Sequence, residues 1–198
     1  MECIKKIQID NTIYEANVDF RIAIQCNEIA QEKEIGDFER TLAVIYLVFG
    51  EKGLDNIEHY NLLIDWIKKW LSLGKEIENS NEEPDMDFIE DYDLIVASFQ
   101  SDYGIDIDNT EMDWKRFINL MNGLSNSELG NCCVLNRIRN IRTYDTREIK
   151  DEKIRRKYEK IKKQVALKKN KKEINLTEKQ IKSIEELNSI IGLKKEGG

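Results

Sequence analysis

The residues most capable of chemistry are seven carboxylates in one stretch: Asp85, Asp87, Asp91, Asp93, Asp102, Asp106 and Asp108. Two or three of them converging, usually beside a lysine, would hold a divalent cation and support metal-assisted hydrolysis. Asp106-Ile107-Asp108 has the Asp-x-Asp form, a pattern too common to carry that reading. Other duties explain these groups better: Asp87 stands where a helix N-cap belongs, and Asp91 and Asp102 fall as helix-surface charges. The only histidine, His59, lies between helical apolar positions and reads as a boundary residue rather than a base. Cys3, Cys26, Cys132 and Cys133 lack the spacing of a disulfide scaffold or a Cys-x-x-Cys site, so small buried thiols are expected. Gly50-Glu51-Lys52-Gly53 lacks Walker spacing, and Gly123 and Gly130 stand alone, so no phosphate-cradling loop is present. No catalytic, cofactor-binding or metal-ligating residue is assigned. The expectation is a protein that works by binding, without an enzyme's site.

The elements that would position these residues are mainly helical. Apolar residues make up 40% of the 198 and charged residues 35%, which suits a modest core under a charged surface. One proline and ten glycines are too few for a many-turned β fold. No apolar run approaches membrane-spanning length, and the N-terminus lacks a signal-peptide stretch, so a cytoplasmic protein is expected. Ile7, Ile9, Ile13 and Val18 alternate with polar residues around Asp10-Asn11-Thr12, which predicts a short hairpin. Asp19 then caps a helix with Ile22, Cys26 and Ile29 on one face. A helix is expected over 38–49, capped by Asp37, stopped by Gly50, with Phe38, Leu42, Ile45, Tyr46 and Phe49 on its apolar face. Another spans 56–73, with Asp55 as cap, Gly74 at C′, and Ile57, Tyr60, Leu63, Ile64, Ile67, Trp70 and Leu71 as its stripe.

Residues 76–84 are polar, acidic and hold the only proline, marking an internal loop. After it, Asp87 caps a helix that turns Phe88, Tyr92, Ile95, Val96 and Phe99 inward and stops at Gly104. A bend over 105–109 leads to a short helix over 112–121 with Trp114, Phe117, Ile118 and Met121 on one side, and another helix follows over 129–138. None of these can bury its apolar face alone, so the fold class is mainly α: a helical bundle with a short N-terminal β-hairpin and an extended C-terminal amphipathic helical region. The division expected is an acidic helical body over 1–145 and a basic extension over 146–198. In that extension Ile154, Tyr158, Ile161 and Val165 step at helical spacing. A polar hinge over 168–172 precedes a capping box at Thr177 and Gln180, with Leu176 and Ile181 placed as a staple. The narrow stripe Ile181, Ile184, Leu187 and Ile191 requires a partner, in the same chain or another.

Charge divides the chain sharply. Residues 1–130 hold 11 Lys/Arg and 28 Asp/Glu, a balance of −17, and residues 131–198 hold 20 and 10, a balance of +10; together they give −7. Such polarity suits a solvated helix face, charge-complementary packing between subunits, or a binding tail. For nucleic acid the basic half offers no zinc finger, no glycine-aromatic RNA-binding signature and little aromatic interleaving.

A further pattern runs through the chain in order: Asp19-Phe20-Arg21; Asp87-Phe88 with Asp91; Phe99 before Tyr103-Gly104-Ile105-Asp106; Trp114 with Arg116-Phe117; Arg139 and Arg142; then Val165-Ala166-Leu167. Over residues 13–167, most strongly over 87–121, this resembles the phage family known as gene product fifteen of Listeria-type siphophages. The sequence departs from the family where His-Trp-Trp is usual, reading Asp113-Trp114-Lys115. The resemblance implies a gene between those of the major tail protein and the tape measure protein. It implies a tail assembly chaperone that keeps the tape measure protein soluble in the bacterial cytoplasm until tail-tube subunits polymerise around it, and that is absent from the mature virion. Expected partners are the tape measure protein, possible contact with the tail tube protein, and further copies of the same chain, with no membrane and no cofactor. Partner-binding residues expected on this basis are Ile181, Ile184, Leu187, Ile191, Arg139 and Arg142. The alternatives are a nucleic-acid-associated phage protein using the basic half, or a structural tail or connector component.

Overall fold

A computed structural model of the chain describes residues 3–32, 34–75, 84–126 and 132–168. The hinge beyond Lys168, the capping box at Thr177 and the stripe Ile181, Ile184, Leu187, Ile191 lie outside those residues, as does the acidic loop up to residue 83.

Alternation near the N-terminus produces the expected hairpin. Strand β1 (Ile4–Ile9) pairs antiparallel with β2 (Thr12–Asn17), with Ile7 opposite Tyr14 and Ile9 opposite Thr12. The connection is two residues long, and Asp10 takes φ +50°, a left-handed conformation that aspartate tolerates better than most residues. One face is buried through Tyr14 and Ala16, whereas Ile4 and Ile13 on the other are about half exposed.

Helix α1 (Phe20–Gln31) starts at Asp19, whose carboxylate accepts from the Arg21 backbone N–H at 2.9 Å. Helix α2 (Asp37–Phe49) carries Leu42, Val44, Ile45, Val48 and Phe49 into the core and stops at Gly50, φ +64°. Two expectations for it need correction. Gly36, not Asp37, is the N-cap, and Asp37 instead forms an ion pair with Arg40. Phe38 shares the apolar face but lies in the first turn and stays 51% exposed.

The helix expected over 56–73 is two pieces. A 3₁₀ turn at Ile57–His59, capped by the Asn56 carboxamide, precedes α3 (Tyr60–Leu71). Eclipsing of i and i+3 in the 3₁₀ turn takes Ile57 out of phase with the stripe and leaves it exposed, while Leu63, Ile67 and Trp70 are buried. Asp55 is not the cap; it ends the preceding 3₁₀ turn. At the far end Leu73, not Gly74, occupies C′, with φ +54° and its N–H on the Trp70 carbonyl. Gly74 follows with its N–H on the Lys69 carbonyl at 2.9 Å, completing the paired bonds of a Schellman cap.

Asp87 caps the turn over 88–91, accepting from the Ile89 and Glu90 N–H groups, and α4 (Tyr92–Tyr103) begins after that turn. Gly104 ends α4 in left-handed geometry, φ +66°. Helix α5 (Trp114–Asn122) is capped by Asp113. Helix α6 (Val134–Thr143) lies later than the expected 129–138, because Cys133 takes the N-cap position and its Sγ accepts from the Asn136 N–H. Helix α7 (Glu152–Val165) is the amphipathic helix of the basic segment, capped by Asp151. It buries no residue fully; its Tyr158 ring meets Tyr144, just beyond α6, at 5.3 Å.

An aromatic hub joins these elements. Phe117 stacks on Phe20 (4.4 Å, 9°) and on Phe99 (5.3 Å, 13°), with Trp114 and Phe88 also in ring contact. The starts of α1 and α5 are zipped by two backbone bonds, Phe20 N–H to the Met112 carbonyl and Trp114 N–H to the Val18 carbonyl. Trp114 and Phe117 are therefore core residues, 4% and 0% exposed.

Candidate functional site: an acidic corner clamped by arginines

Apart from the exposed Asp93, the carboxylates are individually engaged, and guanidinium groups pair with two of them, Asp91 and Asp85. Arg142, near the end of α6, uses both Nη atoms on Asp91, at 2.6 and 2.8 Å. Its Nη1 also donates to the Asp85 backbone carbonyl at 3.0 Å, and its Nε donates to the Val165 carbonyl at the C-terminus of α7. One side chain thus ties the 85–91 turn, α4, α6 and α7 together. The pair is buried, with side-chain exposures of 11% for Arg142 and 2% for Asp91. A bidentate guanidinium suits this, since an isolated carboxylate at that depth would be costly. The hydrogen bond with Asp91 is the main cause that holds the Arg142 pKa above its usual value. Asp91 also accepts from the Asp87 N–H. Asp91 is therefore not the helix-surface charge expected from sequence.

Arg139, one turn earlier in α6, donates from Nε to the Asp85 carboxylate at 3.0 Å and from Nη1 to the Asn136 side chain. Arg21 does equivalent work on the opposite flank. Its Nη1 bonds both oxygens of Asp19, and its Nη2 reaches the carbonyls of Ile107, Asp108 and Thr110. This pins the bend after Gly104 to the start of α1.

The remaining carboxylates have local duties. Asp102 accepts the Ser125 N–H at 2.7 Å, which holds its carboxyl below the ordinary range, so it too is more than a surface charge. Asp106 accepts from the N–H groups of Asp108 and Asn109 and from the Asn109 side chain, and is likewise lowered. Asp108 accepts the Tyr92 hydroxyl at 2.8 Å; burial first, and that bond second, push the Tyr92 phenol up to about 12. Among the described residues no group of three His, Cys, Asp or Glu could hold a metal ion.

His59 is buried, 6% exposed, which corrects its expected boundary position. The 3₁₀ turn carries it under the hairpin, where Nδ1 meets the Tyr14 hydroxyl at 2.7 Å and Nε2 meets Asp10 at 3.2 Å. It fastens the hairpin tip to α3. Cys26 is buried, which pushes its thiol up to about 12 and keeps it protonated; Cys133 is buried, and Cys3 and Cys132 are partly buried rather than fully so.

Open grooves lie between the described elements. One of about 540 Å³ runs between α4 and the start of α6, lined by Ala97, Ser101, Asp102, Cys133 and Arg137 among others. The second, about 420 Å³, separates β1 from α3 and is walled by Ile7, Ile9, Leu62 and Trp66, with Asp65 and Lys69 at its sides. Leu62 is 53% exposed there.

Of the residues expected to bind a partner, the structure brings Arg139 and Arg142 together and occupies their donors with internal acceptors. The Arg142–Asp91 clamp was missed from sequence. A signal existed: Asp91 lies three residues after Phe88 and four before Ile95, in phase with the buried face. Nothing comparable marked the long reach of Arg21.

A mainly helical protein whose acidic corner is closed by arginine clamps is the class these features define. Residues 2–167 match the family model for the bacteriophage Gp15 protein, and the chain belongs to that family. No curated protein and no solved structure matches. The match reaches beyond the 13–167 span of the sequence resemblance at its N-terminal end. The residues that carried the resemblance are largely the clamps and the hub: Phe20-Arg21, Phe88, Asp91, Phe99, Gly104, Trp114, Phe117, Arg139 and Arg142.

Proposed function

We propose that this phage protein is a tail assembly chaperone that binds the tape measure protein during siphophage tail morphogenesis and performs no catalysis. It acts in the bacterial cytoplasm, as an oligomer, and leaves before the virion matures. Membership of the Gp15 family supports the reading, together with the gene position beside the tape measure that the sequence resemblance implies. The chemistry is compatible. A long apolar helical client needs apolar anchors for affinity and surrounding charge for solubility. The β1–α3 groove offers anchors of that kind in Ile7, Leu62 and Trp66, beside Asp65 and Lys69. No helix among the described residues is long and apolar enough to cross a membrane.

The stripe Ile181, Ile184, Leu187, Ile191 remains the proposed intermolecular contact. The test is capture of tape measure protein by the full chain, by I184D/L187D, and by a chain ending at residue 169. Weaker capture by both altered chains, each still folded, is expected. Unchanged capture would remove the C-terminal stripe from the account, and failure of the full chain to capture would contradict the chaperone reading.

A further inference from the structure

Helix α7 is strongly basic. Seven of its residues are basic (Lys153, Arg155, Arg156, Lys157, Lys160, Lys162 and Lys163), and two are acidic (Glu152 and Glu159). Arg156 pairs with Glu152, and Lys162 donates to the Tyr144 carbonyl. Lys153, Lys157, Lys160 and Lys163 form no ion pair with a described carboxylate. They follow one another at helical spacing beside Ile154, which is 54% exposed. The result is a cationic ridge with an apolar anchor near its N-terminal end.

The counterpart is the turn entering α4. There Ile89 is 51% exposed, next to Glu90 and one helical turn from Asp93, itself exposed and without a described cationic partner. Between Lys75 and Lys115 the chain has no lysine or arginine at all. An apolar anchor among cations therefore answers an apolar anchor among carboxylates, both on one chain.

We infer that two copies of this chain associate, with the α7 ridge of each lying on the Ile89–Asp93 face of the other. Size favours a reciprocal pair over a single contact. A helix of 14 residues is roughly 21 Å long. One such contact covers on the order of a few hundred Å², whereas a stable interface needs about 1,200 Å² in total. Two-fold symmetry makes the contact twice and closes the assembly. The surfaces lie near enough for this, since Arg142 joins the Asp85–Asp91 segment to the end of α7. A second copy is favoured over a nucleic acid because the acidic face matches the ridge in both charge and apolar anchor, which a phosphate backbone would not. The inference is independent of the tape measure reading.

Sedimentation of the full chain at low and high salt tests it, using K153E/K157E/K160E and E90K/D93K, all at exposed positions. The wild type is expected to dimerise at low salt and to dissociate as salt rises, and each reversed variant to bind its own copy about tenfold more weakly or worse. An equimolar mixture of the two variants, and a single chain carrying all five changes, should both recover dimer. The five-change chain matters because its net charge stays close to that of the wild type, so recovery reports matched faces rather than bulk attraction. Thermal melts confirm that each variant is folded. A wild type monomeric at low salt overturns the inference, as does a five-change chain that stays monomeric. Salt-sensitive retention of duplex DNA, lost on ridge reversal while self-association is unaffected, also overturns it.

Discussion

Arg142 replaced by alanine strands the Asp91 carboxylate in the interior and orphans two carbonyls, so a loss of about 3–5 kcal/mol is expected in denaturant unfolding. Replacing both, as D91L/R142M, should recover only the part due to the unpaired charge, because the Asp85 and Val165 carbonyls still lose their donor. A loss below about 1 kcal/mol for R142A would place the pair at the level of a surface bridge. Acid sensitivity belongs to the same scale. Asp102 titrates lower when folded than when unfolded, held down by the Ser125 N–H, and Asp145 is held at about 2 by Arg147. Groups depressed on folding contribute above the ordinary carboxylate value, near pH 4, and lose that contribution as pH falls through the folded value. Stability should therefore decline from about pH 4 towards pH 2, and D102N should be weaker at neutral pH with a shallower acid limb. Denaturation midpoints across that range check both. Buried Asp91 was foreshadowed by its helical phase; Arg21, with contacts across more than 80 residues of chain, was not.

At the scale of elements, α4 and α5 are held by the aromatic hub and by their ends. F117A empties the position where Phe20, Phe88, Phe99 and Trp114 converge, and should cost about 3–5 kcal/mol. G104A forces a side chain into left-handed backbone and should cost about 1 kcal/mol, readable as a lowered thermal midpoint without loss of helix signal. Both features were visible in the sequence, because apolar spacing and a glycine stop are local properties. Ile57 and Leu73 departed from expectation for equally local reasons. A 3₁₀ turn shifted the phase of one, and the Schellman geometry placed the other at C′ with φ +54°, directly ahead of Gly74, which is left-handed as expected at φ +75°. The hairpin latch through Tyr14, His59 and Asp10 needed tertiary contact to be seen at all.

For the whole molecule, the aromatic hub and the Arg142–Asp91 pair lie in the interior and make the corner. Among the described residues, the α7 ridge, the Ile89–Asp93 face and the β1–α3 groove lie at the surface. L62E, at an exposed position lining the groove, should leave the melting temperature within about 2 °C of the wild type while weakening tape measure capture in a pull-down. Equal capture would move the client elsewhere. The charge polarity between residues 1–130 and 131–198 was evident from composition, but only the folded chain showed that Lys153, Lys157, Lys160 and Lys163 form no ion pair with a described carboxylate. The central claim is that this chain keeps a tape measure protein soluble. Co-expression with a tape measure gene from the same phage, followed by fractionation, measures that directly: the account predicts that the tape measure protein moves into the soluble fraction and co-elutes with this chain. A tape measure protein that remains insoluble, or this chain recovered in purified virions, would contradict it.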